Sequence, residues 1–202
     1  MQTGAPTRRR LLEAAEDLFA NRGIDAVSLA EITKAAGSNN TGAVHHHFGG
    51  REELLAALVD EHRGRLDQRR SALLDQLDEQ PPTRAALVHC LVTPMVDLLD
   101  DPHGRAFLSI QAQLVLRPRP PTRTPRPLIQ RVQRLEGHPD GRAPVAAFLA
   151  DLAELTAVSA LAQRARLEEE AGRDAGLGRE QFTRQLLAAI TRIVTPHKET
   201  PS

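Results

Sequence analysis

A short polar segment near the N-terminus carries the side chains best suited to chemistry. The stretch from Thr41 to Phe48 follows Asn40 and places His45 and His46 on the side of a helix that lacks large apolar groups. In the major groove of duplex DNA, an asparagine can pair with adenine, a threonine can contact the thymine methyl group, and a histidine can donate to guanine or to a phosphate. A slender helix with such a face fits that groove, so we predict that this segment reads bases.

The elements around this segment form the support that such a helix needs. Ser28 and Glu31 have the S-x-x-E spacing of a capping box, so a helix should begin at residue 29. Gly37 ends that helix, and the Ser-Asn-Asn sequence after it favours a turn. Arg51 opens the following helix, where its charge and the helix N-terminus can both face a phosphate. Three short helices joined by tight turns predict a helix-turn-helix domain.

The rest of the 202-residue chain has the pattern of longer helices. Apolar residues recur at steps of three and four, and no run of five or more residues alternates strictly. The pattern predicts helices over residues 7–22, 29–36, 41–47, 51–77, 84–99, 103–116, 128–136, 143–170 and 179–195. We therefore expect an all-α fold, in which a three-helix helix-turn-helix DNA-binding domain of residues 1–50 is joined to a larger helical domain of residues 51–202.

Composition excludes several other classes of protein. The single cysteine, Cys90, rules out a disulfide framework and multi-cysteine zinc sites, and the absence of Trp and Tyr argues against binding single strands by base stacking. The chain has no nucleotide-binding, hydrolase or zinc-protease motif, so we expect neither an enzyme nor a cofactor. No apolar run approaches about 18 residues and no signal pattern begins the chain, which predicts a cytoplasmic protein without membrane contact.

Three adjacent histidines, His45, His46 and His47, suggest a metal site, but a helix cannot bring them together. Successive helical side chains point about 100° apart, so the three rings cannot converge on one ion. We therefore expect these rings to contact the groove or phosphates, and we expect no bound metal.

Taken in order, the N-terminal motifs resemble a known family. The run L-x-A-A-x-x-L-F-x-x-x-G starts at residue 12, V-S-L-x-x-I at residue 27, A-G at residue 36 and H-F-x-x-R-E-x-L at residue 47. This set resembles the DNA-binding domain of the tetracycline-repressor-like (TetR) transcriptional regulators over about residues 7–60. The resemblance implies a homodimer that binds a palindromic operator, in most members as a repressor. It also implies a C-terminal domain that binds a small molecule and thereby releases the DNA.

The resemblance assigns roles to individual residues as well. It places Ser28 and Arg51 on phosphates and His47 on the DNA backbone. Family members usually carry a tyrosine in the recognition helix, and both positions that could hold it here, 45 and 46, are histidine. From pattern and resemblance together, the predicted DNA-binding residues are Ser28, Asn40, Thr41, His45, His46, His47 and Arg51.

The last two predicted helices have more apolar surface than one core needs. The helix from Ala143 to Glu170 and the helix from Arg179 to Thr195 both carry large apolar residues over more than half of their circumference. A helix that is apolar on two faces must bury both. A two-fold, four-helix interface between two copies achieves this, and it would hold two recognition helices about 34–36 Å apart for successive major grooves.

A small-molecule pocket should lie among the middle helices if the chain has one. The candidate lining residues are Leu91, Met95, Leu98, Phe107, Ile110, Gln111 and Leu114, which fit a plain helical core equally well. The expected partners are thus double-stranded DNA, a second copy of the chain and a possible small-molecule effector. The alternative function is a helical protein-interaction adaptor, which would show no salt-dependent affinity for duplex DNA.

Overall fold

Helices account for all regular structure in the computed structural model, which describes residues 4–40, 42–77, 82–117, 144–172 and 176–195. They are α1 (Gly4–Arg22), α2 (Leu29–Ala35), α3 (Ala43–Phe48), α4 (Arg51–Asp75), α5 (Arg84–Val96), a 3₁₀ turn (Asp97–Asp100), α6 (Pro102–Leu114), α7 (Pro144–Ala171) and α8 (Arg179–Val194). The all-α prediction is confirmed. Thr41 and the helix predicted over residues 128–136 lie outside the described residues. None of these helices combines the length and apolar character that a bilayer crossing requires.

Local capping sets where several helices begin. The Ser28 side chain accepts from the backbone N–H of Glu31, and the Glu31 carboxylate accepts from the backbone N–H of Ser28, so the predicted capping box is confirmed. Thr83 caps α5, and Asp101 caps α6 ahead of Pro102 at the first helical position. Because a cap is a signal carried by neighbouring residues, the sequence predicts these helix starts to within one residue.

Several helices end earlier than predicted, and the difference is largest for α5. The expected helix over residues 84–99 ends at Val96, and the next four residues tighten into the 3₁₀ turn. Pro94 has no N–H to donate to the preceding turn, which weakens the end of α5. The tight turn also meets α6 closely: a Cβ on Gly104 would lie 2.3 Å from the carbonyl oxygen of Leu98, so only glycine fits there.

Two large apolar clusters fill most of the interior, and a smaller cluster of Leu74, Leu87 and Cys90 joins α4 to α5. The N-terminal cluster joins α1, α2, α3 and the first turns of α4 around side chains such as Phe19 and Ile32. The C-terminal cluster joins α5 to α8 around Phe107 and Leu161. α4 enters both, with Leu54, Leu55, Leu58 and Val59 in the first cluster and Leu66 in the second. This helix is therefore a continuous connection between the two halves of the interior.

A buried carboxylate joins α1 to both α4 and α6. Glu16 is 7% exposed, and its two oxygens lie 2.5 Å from His62 Nε2 and 2.5 Å from His103 Nδ1. The His62 ring in turn stacks on Phe107, with ring centres 4.5 Å apart. Burial alone would raise the pKa of Glu16, but the hydrogen bonds from both rings and their charge lower it below its ordinary value. The hydrogen bond to Glu16 and the carboxylate charge raise the pKa of His103.

α6 also holds the C-terminal end of α1. The Gln113 side chain accepts from the N–H of Ile24 at 2.8 Å and donates to the Phe19 carbonyl at 3.1 Å. The Ser109 hydroxyl donates to the Ala20 carbonyl at 3.1 Å. These bonds satisfy backbone groups where α1 ends, so they fix α6 across that end.

Replacing Glu16 by glutamine should reduce the free energy of unfolding in a pH-dependent way. The lowered pKa of Glu16 contributes stability that is present above its ordinary value of 4.5 and is lost as the pH falls through the lowered pKa. The raised pKa of His103 contributes stability that is complete below its ordinary value of 6.5 and is lost as the pH rises through the raised pKa. The urea midpoints of the wild-type and Glu16→Gln proteins should therefore differ most between pH 4.5 and pH 6.5.

The matched control is Asp60→Asn, because Asp60 is an exposed carboxylate of α4 that takes no part in the cluster around Glu16. This change should leave the urea midpoint nearly unaltered at each pH. An effect of Glu16→Gln that stays constant from about pH 4 to about pH 9 would contradict the roles assigned to the two ionised groups.

Candidate nucleic-acid interface

α3 is held in place by one face. Ala43 and Val44 are buried in the N-terminal cluster and Phe48 packs against it, whereas His45 and His46 are exposed. Since the helix has six residues, burying this face leaves the opposite face at the surface. The exposed face is the one for which the sequence predicts base reading.

The turn before α3 is built from side chains as well as backbone. Gly37 has a φ of +65°, the left-handed conformation that favours glycine after a helix. The Ser38 hydroxyl accepts from the N–H of Asn40 at 3.3 Å, and the Asn40 side-chain oxygen accepts from the N–H of Gly42 at 3.0 Å. Asn40 thus closes an Asx turn, and its NH₂ group is the part that can donate elsewhere. The adenine contact predicted for Asn40 stays a prediction, and so does the contact of Thr41, which lies outside the described residues.

Ser28 is occupied by the capping box. Its hydroxyl accepts from the N–H of Glu31 at 3.2 Å and donates its hydrogen to the Glu31 carboxylate at 2.7 Å. Hydrogen bonds from the Ser28 backbone and hydroxyl, followed by the bond from Arg22, lower the pKa of Glu31 to about 2. A phosphate oxygen only accepts, so a contact between Ser28 and a phosphate would require the hydroxyl to leave Glu31. That contact stays a prediction.

Arg51 ties the start of α4 to the loop between α1 and α2. Its guanidinium donates to the carbonyl oxygen of Ile24 at 2.8 Å and to that of Val27, and it lies 5.9 Å from the centre of the Phe19 ring. The structure therefore gives Arg51 a positioning role that no local pattern indicates. The phosphate contact predicted for Arg51 stays a prediction.

The three histidines of α3 have different surroundings. His45 Nδ1 lies 3.0 Å from the carbonyl oxygen of Gly49. The rings of His46 and His47 meet edge to face, with centres 4.9 Å apart, and His47 is half-buried. In the part of the chain that the structure describes, no three histidine, cysteine, aspartate or glutamate side chains are placed to share a metal ion.

A cation from α1 lies beside α3. The Arg8 guanidinium lies 4.9 Å from the centre of the Phe48 ring, a distance typical of a cation–π contact. Arg8 is exposed, so it adds positive charge next to the exposed face of α3. Sequence analysis misses this contact because the two residues are far apart in the chain.

The residues predicted to line an effector pocket are divided between the two apolar clusters. Met95, Leu98 and Phe107 lie in or against the C-terminal cluster, whereas Ile110 and Leu114 lie in or against the N-terminal cluster. Leu91 is half-buried and Gln111 is buried. Their role in binding a ligand stays a prediction.

A cleft of about 440 Å³ opens next to the buried Glu16. It lies between α1, α4 and α6, and none of the seven predicted pocket residues lines it. Its walls include Arg8, Leu12, Leu58 and Arg65. The cleft is thus formed by the N-terminal helices and by the helices that contact them.

The last two helices differ in what they leave exposed. On α7, Phe148 is 65% exposed, Leu152 is 37% exposed and Leu167 is 38% exposed. On α8, Leu186 and Ile190 are buried, and the other large apolar residues pack partly against the C-terminal cluster. The strongly exposed apolar side chains of this pair therefore lie on α7, and the predicted interface between two copies stays a prediction.

Comparison with known proteins places the N-terminal segment in context. Residues 11–58 match the family model described as bacterial regulatory proteins, tetR family. The matched segment covers most of α1, all of α2 and α3, and the first turns of α4, which are the elements of the N-terminal cluster.

Two curated relatives and one solved structure extend this comparison. The chain is 29% identical over 108 residues to the HTH-type transcriptional repressor AcnR of Corynebacterium efficiens. The aligned segment covers 54% of the chain and 48% of AcnR. It is 43% identical over 54 residues to the HTH-type transcriptional regulator TtgR of Pseudomonas putida. This aligned segment covers 27% of the chain and 25% of TtgR. The chain thus spans about half or less of the length of these relatives. The probable transcriptional regulatory protein RHA5900 shares the fold, with a TM-score of 0.55, 20% identity and coverage of 94% of the chain and 100% of that protein.

Removing the Ser28 hydroxyl should destabilise α2. In Ser28→Ala the N–H of Glu31 loses its acceptor and the Glu31 carboxylate loses one of its donors. We expect the free energy of unfolding to fall by about 1 kcal/mol, measured by urea denaturation at neutral pH. Ser28→Thr keeps a capping hydroxyl and should retain most of the wild-type stability. Equal stability of the alanine and wild-type proteins would show that the capping box contributes nothing.

Proposed function

Because residues 11–58 match the family model of bacterial regulatory proteins, tetR family, we propose that the protein is a TetR-like, sequence-specific, DNA-binding regulator of transcription. The observation that carries the proposal is the presentation of α3. This helix is fixed to the N-terminal cluster by Val44 and Phe48 and has His45 and His46 exposed on its other side. A short helix supported from behind is what insertion into the major groove requires.

The proposed protein acts as a homodimer. A recognition helix of six residues contacts few base pairs, so one copy offers little affinity or specificity. The exposed row of Phe148, Leu152 and Leu167 on α7 supplies apolar surface for a second copy. A two-fold axis through the C-terminal helices would present two α3 helices to the two halves of a palindromic site.

The proposed regulator is a repressor that a small molecule releases from its operator. AcnR, which is similar over half of the chain, is named a transcriptional repressor. A ligand among the middle helices would reach α1 through α6, because His103 bonds Glu16 and Gln113 bonds the end of α1. Ligand and DNA would then weaken each other by the same coupling free energy.

The proposal assigns the functions to two parts of the chain. Residues 1–50 form the DNA-reading domain, and residues 51–202 form the dimerisation and effector domain. The first turns of α4, up to Val59, pack with the reading domain, so a movement of α4 would be felt there directly. We place the protein in the cytoplasm, where it acts as a DNA-binding protein and not as an enzyme.

Selection of bound duplexes from a random pool tests the function. The full-length protein should enrich a palindromic sequence whose half-site centres are about one helical turn apart or a multiple of it, and its affinity should fall as salt rises. The DNA should carry the fluorescent label, because the chain has no Trp and no Tyr. A protein that enriches no duplex and shows no salt-dependent binding is the adaptor alternative.

Arg51→Ala separates positioning from sequence reading. Without its bonds to the carbonyls of Ile24 and Val27, α4 loses its tie to the loop that precedes α2, and α3 is held less rigidly. We expect binding to weaken by a similar factor for all duplexes in the pool, while the preferred sequence stays the same. A change in the preferred sequence would mean that Arg51 contacts bases.

Phe148→Glu tests the proposed dimer. A charge in the middle of an apolar interface is strongly unfavourable, so the variant should be a monomer by light scattering and should bind the selected operator much more weakly. Leu116→Glu is the matched control, because Leu116 is 74% exposed and lies after α6, outside the helix that carries the proposed interface. Loss of the dimer in both variants, or in neither, would contradict an interface on α7.

A further inference from the structure

The His45 ring is anchored at one of its two nitrogens. His45 Nδ1 lies 3.0 Å from the carbonyl oxygen of Gly49, and the Gly49 N–H donates to the carbonyl oxygen of His45 at 3.0 Å. Two hydrogen bonds therefore join the same pair of residues at the end of α3. Gly49 has a φ of +96°, a conformation that favours glycine, so this arrangement depends on the residue type at position 49.

The anchor fixes which nitrogen carries the hydrogen. A carbonyl oxygen only accepts, so the hydrogen of the Nδ1···O contact must lie on Nδ1. In a neutral imidazole the other nitrogen, Nε2, then has a lone pair and no hydrogen. In the neutral ring, Nε2 of His45 is thus an acceptor, whereas the sequence predicts a histidine that donates to guanine or to a phosphate.

An acceptor in the major groove distinguishes between the bases. Adenine N6 and cytosine N4 present N–H groups there, whereas guanine presents O6 and N7 and thymine presents O4, all of which are acceptors. A neutral His45 can bond an amino-bearing base and meets only lone pairs on guanine, on thymine and on phosphate oxygens. We propose that His45 is a specificity-determining residue that selects adenine or cytosine at the base it faces. This inference rests on the proposed function, because it requires α3 to lie in the groove.

The test combines selection with a change of hydrogen-bonding character at position 45. Duplexes are selected at pH 8.5, where imidazole is neutral, with the full-length wild type, His45→Ala and His45→Lys. The base position that loses its preference in His45→Ala is the one that His45 contacts. At that base pair His45→Lys, which only donates, should change the preference of the wild type, because a lysine bonds the guanine or thymine acceptors and not the amino group. Gln68→Lys is the matched control, since it adds the same charge at an exposed residue of α4, outside α3, and should leave that position unchanged.

A base analogue tests the amino group directly. Replacing the selected adenine by purine, or the selected cytosine by 2-pyrimidinone, removes only the exocyclic amino group. Wild-type affinity should fall by about tenfold, whereas the affinity of His45→Ala should change little. The analogue weakens the base pair for both proteins, so a loss confined to the wild type identifies the contact with His45.

The outcomes separate this inference from the proposed function. If no duplex is enriched, the proposed function is wrong and the inference is wrong with it. If duplexes are enriched but loss of the amino group at the base pair that His45→Ala alters leaves wild-type affinity unchanged, the function stands and the inference is overturned. The inference is also overturned if the wild type and His45→Ala enrich the same sequences. It is overturned as well if the analogue lowers the affinity of both proteins equally.

Discussion

The carboxylate of Glu16 imposes the strictest condition on the packing of this protein. A carboxylate taken out of water must keep partners for its oxygens, because the cost of burying an unpaired charge exceeds what apolar packing nearby can offset. Here one oxygen is bonded to His62 on α4 and the other to His103 on α6. These bonds therefore tie the three helices together, and a shift of α6 along α1 would break the partly buried bond between Glu16 and His103. Phe107 stacks on His62 and extends the same constraint into the C-terminal cluster.

The position of α3 depends on the packing around Glu16, although the two bonds to Glu16 come from α4 and α6. α3 is too short to fold alone, and its place is set by a few apolar contacts and by the turn that Asn40 closes. Its neighbours are fixed from the other side, since Gln113 on α6 holds the end of α1 and Arg51 on α4 holds the loop that leads to α2. The exposed face of α3 is thus the outermost layer of a packing order that begins at α6. In the proposed regulator, this order is the physical path by which a change in the C-terminal half would reach the DNA.

The parts of this structure that sequence could predict are those that neighbouring residues decide. The capping box of Ser28 and Glu31, the cap at Asp101 and the all-helical pattern depend on residues a few positions apart, and they are confirmed. The partners of Glu16 lie 46 and 87 positions away, and Gln113 bonds a residue 89 positions away, so no local pattern indicates them. The pocket prediction shows the same limit: helical spacing identifies Phe107 and Ile110 as buried, but it does not say that they enter different clusters.

Under the proposed function, the charge of the N-terminal segment makes hydrogen bonding to bases important. Residues 1–50 hold five basic and five acidic residues, and two of the basic residues, Arg9 and Arg22, already pair with Glu13 and Glu31. Affinity that comes from releasing counterions grows with the number of phosphates that are neutralised, so this domain gains less of it than a strongly basic one. A larger share of the binding free energy must then come from contacts that differ between sequences. Under that condition the choice of base depends more on the hydrogen bond of the His45 ring, because fewer non-specific contacts stabilise a complex with the wrong base.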